Sequence, residues 1–132
     1  MGNWFSILMV ALGGATGAVS RYSASKWMMK YTLDWTFPIA TFTINVMGCL
    51  LIGVLAGVGE RFNWLTSDLR LLLITGVLGG FTTFSAFGLE TFALLRRGEL
   101  WVAMGYVGLS VVLGLLLLWL GFVAVTTLGS PD

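Results

Sequence analysis

The 132-residue chain is 58% hydrophobic, has a mean hydropathy of +0.95 and carries only seven basic and six acidic residues, for a net charge of +1. So few charges cannot cover a soluble domain of this length, which makes the chain an all-α integral membrane protein and excludes a basic surface for nucleic acid. Histidine is absent and Cys49 is the single cysteine, so the commonest metal ligand, the commonest general base and any internal disulfide are missing. No nucleophile–base pair is visible, and an enzyme is not expected.

A membrane-crossing helix needs about 20 mostly apolar residues. Four stretches qualify, and the expected transmembrane helices cover about 4–29, 37–59, 69–96 and 99–128 in one transmembrane domain. Pro38 suits the first turn of the second helix. The connections are short and hold most of the charge: Lys26, Lys30 and Asp34; then Glu60, Arg61, Asp68 and Arg70; then Arg96, Arg97 and Glu99. Trp4, Trp27, Trp35, Trp64 and Trp101 fall near the expected ends, as in an interfacial aromatic belt. The first and third connections together hold four basic residues and the second holds two, a small orientation bias. A chain with so little preference can insert both ways, and two opposed copies can pair about an axis in the membrane plane.

Along the first helix, Gly13, Gly14 and Gly17 read as close-packing positions, as do Gly53 and Gly57 in the second. Arg21, near the end of the first helix, either snorkels or forms an electropositive vestibule. In the second helix Thr41 and Asn45 share a face, and Gly48 continues it. Asn45 is read either as interhelical glue or as an amide lining a polar pathway. The third helix holds Gly79-Gly80-Phe81-Thr82-Thr83-Phe84-Ser85-Ala86-Phe87, poor material for continuous helix. We expect it to be broken at mid-membrane, near 79–83. Irregular backbone at that depth is tolerated only where protein buries it or where it lines a cavity. Carbonyls near Gly79 and Thr82 would lose helical partners and suit a cation. The half-helix beginning near Thr83 would turn N–H groups toward an anion. Phe84 and Phe87 share a face, and the positive edge of a phenyl ring can lie against a dehydrated anion. Glu90 is an intramembrane acid that would repel an anion unless protonated or turned toward a hydroxyl. In the fourth helix Tyr106 and Ser110 again share a face.

Residues 79–87 resemble the signature of the fluoride-specific ion channels (Fluc, also called CrcB). Thr41-Phe42-Thr43-Ile44-Asn45-Val46-Met47-Gly48 is similar to that family's second-helix motif, and Gly13 to Tyr22 to its first-helix motif. The resemblance spans essentially the whole chain. It implies an antiparallel, dual-topology homodimer with two fluoride pores in a bacterial inner membrane. It also implies a structural Na⁺ at the dimer interface, held by the Gly79 and Thr82 carbonyls of both subunits. Phe84 and Phe87 would be the fluoride-contacting rings and Asn45 the pore amide. Ser85, Glu90 and Thr91 would lie along the polar track of the third helix, with Tyr106 and Ser110 facing it. The channel would export cytoplasmic fluoride and relieve its toxicity.

Ala86 stands where the family commonly has a hydroxyl residue, and Gly114 replaces another, so the polar track is thinner here. The rival reading is a small four-helix, proton-coupled multidrug antiporter. That class works through a carboxylate in its first helix, where this chain has Arg21 and no acid. A pure scaffold has no need of buried irregular backbone.

Overall fold

The computed structural model describes residues 3–63 and 65–127. Trp64 and residue 128 of the expected fourth helix lie outside them. Helix α1 runs Asn3–Thr32 and α2 runs Ile39–Phe62. The third span covers Ser67–Arg96, with a first half over 67–81 (α3a) and a second half, Phe84–Arg96 (α3b). Helix α4 is Leu100–Thr127. All four spans are long and apolar enough to cross a membrane, and the described residues contain no strand. Large apolar side chains such as Leu12, Leu89, Val112 and Leu115 point outward along these helices, as a chain solvated by lipid requires. Trp4, Trp27, Trp35 and Trp101 are all exposed.

Several boundaries differ from the expected ones for local reasons. Helix α1 continues to Thr32, whose hydroxyl donates to the Met28 carbonyl at 3.0 Å. Pro38 is not inside α2 but caps it, with φ −75° and ψ 68°. Between α3b and α4 the chain turns at Gly98, where φ is +77°. There the Glu99 amide donates to the Leu94 carbonyl and the Gly98 amide to that of Leu95, closing a turn that only glycine enters without strain.

The helices pack as two pairs. Helix α1 lies against α3a, and α2 lies against α4. Both contacts are made by backbone meeting backbone. A β-carbon on Gly17 would overlap the Val77 carbonyl oxygen, and one on Gly80 would stand 2.5 Å from the Gly14 carbonyl oxygen. A β-carbon on Gly121 would come 2.6 Å from the Leu50 carbonyl oxygen. Small residues permit such approaches in lipid, where helix association depends on packing rather than on expelling water.

The third span is where regular structure lapses. Leu71–Leu78 is π-helical, a rare form often found beside functional sites, and nothing in the residue pattern announced it. Gly79–Phe81 are helical, against the expectation that irregularity begins at Gly79. Gly80 serves close packing on α1 instead. Thr82 (φ −81°, ψ 159°) and Thr83 (φ −151°, ψ 116°) are extended, and helix resumes at Phe84.

Gly14, by contrast with Gly17, has nothing within 4 Å of a would-be β-carbon. Gly17→Ala should therefore lower stability by about 1–3 kcal/mol, as overpacking does, while Gly14→Ala should stay within about 0.5 kcal/mol of the parent. Thermal loss of the monodisperse peak in detergent measures both.

Candidate functional site

Asn45 on α2 fixes the extended residues of the third span. Its Oδ1 accepts from the Thr83 amide at 2.8 Å, and its Nδ2 donates to the Thr83 carbonyl at 3.0 Å. The Asn45 side chain thus stands in for a strand partner, satisfying both backbone groups of one residue where water is excluded. From the other side, Arg21 Nε on α1 donates to the Gly80 carbonyl at 3.0 Å. The Thr83 hydroxyl accepts from the Ala86 amide at 3.2 Å and so caps α3b. Thr82 folds back, its amide and its hydroxyl both donating to the Leu78 carbonyl at 2.9 Å. Gly48 leaves room for this, since a β-carbon there would collide with the Thr82 methyl.

The same bonds decide which carbonyls go without helical donors. In an unbroken helix the Thr83 amide would serve the Gly79 carbonyl, and the Ala86 amide the Thr82 carbonyl. Both amides are engaged elsewhere, by Asn45 and by the Thr83 hydroxyl.

A cleft of ≈ 270 Å³ opens beside these residues, lined by Asn45, Cys49, Thr83, Phe84, Phe87 and Ser110 among others. The Phe84 and Phe87 ring centroids are 5.5 Å apart, and Phe87 in turn lies 5.1 Å from the Tyr106 ring. Phe84 is 83% exposed, while Phe87 packs against the core. Ser110 Oγ is buried and has no hydrogen-bond partner among the described residues.

A second cavity, of ≈ 410 Å³, is also bordered by Thr83 and includes Arg21, Thr41, Ala86 and Glu90. Glu90 joins three elements here. Its Oε1 accepts from the Thr41 hydroxyl at 2.7 Å, and its Oε2 from the Tyr106 hydroxyl at 2.7 Å. Two short bonds from hydroxyls to a carboxylate are charge-assisted and strong. Tyr106 has no exposed surface and anchors a small core with Leu94 and Ala103.

The residues singled out from sequence therefore divide into groups. Asn45, Phe84, Phe87 and Ser110 meet at the cleft. Arg21, Thr41 and Glu90 meet at the second cavity, with Tyr106 reaching Glu90 from behind. Ser85 is exposed and lies 3.3 Å from the Thr83 hydroxyl. Thr91 is placed apart: its hydroxyl bonds the Phe87 carbonyl at 2.8 Å, and it lines a separate surface groove with Leu95 and Met104. Among the lining residues that sequence reasoning did not place at a site, Cys49 borders the cleft one helical turn beyond Asn45, and that spacing was the available signal. Thr83 was read only as the start of a half-helix.

A four-span membrane protein with a cavity holding Arg21 and Glu90 and a ring-lined cleft, both bordered by the extended Thr83, has the layout of the class that passes small cargo. The profile of the CrcB-like (Camphor Resistance, CrcB) family matches residues 8–122, and the chain belongs to that family. It is 52% identical over 118 residues to the "Fluoride-specific ion channel FluC" of Methylobacillus flagellatus, covering 89% of this chain and 92% of the relative. It is 45% identical to the like-named protein of Flavobacterium psychrophilum, covering 89% and 94%, and 48% identical to one from Rhizobium etli, covering 81% and 85%.

Removing Glu90 would strand two hydroxyls. Glu90→Ala should cost about 2–5 kcal/mol, whereas Glu90→Gln, which can still bond both hydroxyls, should cost under about 2 kcal/mol. Denaturation in detergent followed by tryptophan fluorescence separates the two; equal losses would mean the carboxylate bonds contribute little.

Proposed function

We propose that this chain is a fluoride-selective channel that lets cytoplasmic fluoride leave a bacterial cell down its electrochemical gradient. The observation that carries the reading is the cleft, where two phenylalanine rings meet an unpartnered serine hydroxyl beside a fixed backbone irregularity. Ring edges and a free O–H suit a small dehydrated anion. The relatives named as fluoride-specific channels match this chain across most of both lengths, which supports the same cargo. Hydrogen fluoride crosses lipid as a neutral weak acid and ionises inside, so a passive fluoride leak relieves the accumulated anion.

The working unit in this reading is an antiparallel homodimer in the inner membrane, with the third span interrupted at mid-bilayer. Exposed Phe84 supports it, because a ring lining a pore must be covered by more than this one chain. A structural Na⁺ fits the centre of such a dimer. The Gly79 and Thr82 carbonyls, deprived of helical donors, are the oxygens that would hold it in each subunit. Bound there, the ion would supply fixed positive charge and tie the two irregular spans together. Glu90 accepts hydrogen bonds from the Thr41 and Tyr106 hydroxyls in this arrangement, so both its oxygens are turned toward donors. No observation favours the antiporter: helix α1 supplies Arg21 rather than an acid, and both Glu90 oxygens are engaged.

Vesicles loaded with potassium fluoride or potassium chloride and opened with a potassium ionophore provide the test. Fluoride should leave rapidly, followed with an ion-selective electrode, while chloride stays. Phe84→Ile and Phe87→Ile should each abolish release from protein that still elutes as a dimer. Equal release of both halides, or none of fluoride, would refute the reading.

A further inference from the structure

We propose that Thr83 is the transfer point between the two cavities, where its hydroxyl passes the anion from one to the other. This rests on the fluoride-channel reading. Among the described residues Thr83 is the one that lines both the ≈ 410 Å³ cavity containing Arg21 and Glu90 and the ≈ 270 Å³ cleft containing Phe84 and Ser110. In the proposed path the ion crosses from one cavity to the other beside this shared residue.

Its backbone cannot yield, because Asn45 holds the amide at 2.8 Å and the carbonyl at 3.0 Å. The side chain can. The hydroxyl accepts from the Ala86 amide at 3.2 Å, and its contact with Ser85 Oγ is 3.3 Å, long for a hydroxyl pair. A donor so weakly engaged is free to turn its proton toward an anion while its oxygen keeps the cap. The polar side of the boundary offers Arg21 and hydroxyls, and the other side offers mainly rings. An anion losing its water at this boundary therefore meets one O–H where hydration is lost and ring edges begin. In this role Asn45 is a positioning residue, acting through the Thr83 backbone.

Thr83→Val keeps the shape and removes the hydroxyl. Fluoride release per folded channel, with folded protein counted by size-exclusion chromatography, should fall roughly ten- to a hundredfold, the loss of one hydrogen bond to an ion. Thr83→Ser, which retains cap and donor, should restore most of it. A residue that only capped α3b would change the amount of folded protein but not release per channel. Should Thr83→Val fail to fold, Thr83→Asn decides: it caps as well as threonine but fills the boundary, and should release little fluoride. Parental release from folded Thr83→Val or Thr83→Asn, or a Ser variant as impaired as Val, would overturn the assignment. No fluoride release from the unmutated protein would instead contradict the channel reading itself.

Discussion

The pairing of Asn45 with both backbone groups of Thr83 is the constraint on which the rest of the site depends. An extended residue inside an apolar span exposes an amide and a carbonyl that lipid cannot satisfy, at several kcal/mol each. One carboxamide on a neighbouring helix answers both. With Thr83 fixed, its hydroxyl caps α3b, Phe84 begins the new half-helix, and Phe87 follows one turn later against Tyr106. Both cavities border Thr83, where the helix does not continue.

Around that point the helices are held by two different kinds of contact. Helix α1 meets α3a, and α2 meets α4, through glycines whose backbones touch. The second half of the third span is held instead by polar side chains: Thr41 and Tyr106 on Glu90, and Asn45 on Thr83. Tight dispersion packing secures the scaffold, and hydrogen bonds set the geometry of the site. Glu90 shows how an acid is accommodated there, since its two oxygens accept hydrogen bonds from hydroxyls on α2 and α4.

Much of this was legible in the residues because apolar length and small-residue spacing are strong signals in lipid. The four spans, the shared face of Thr41 and Asn45, and the awkwardness of residues 79–87 for a helix all follow from local chemistry. The position of the irregularity did not. Glycine pairs suggest a flexible backbone, yet Gly79 and Gly80 stay helical, and Gly80 gives α1 the bare surface it packs on. The π-helical Leu71–Leu78 was invisible, since eight residues of ordinary leucine-rich character carry no sign of it. The separation of Thr91 from the cavities is a matter of rotation about α3b, set by packing on α4 rather than by spacing. Thr83 was overlooked because its importance comes from what lies on either side of it in space.

The account depends most on the claim that Asn45 holds the third span in the shape that passes the anion. Fluoride release from vesicles carrying Asn45→Ala, set beside the unmutated chain, tests it directly. The account predicts that folded Asn45→Ala protein releases almost none. Release at the unmutated rate would contradict it.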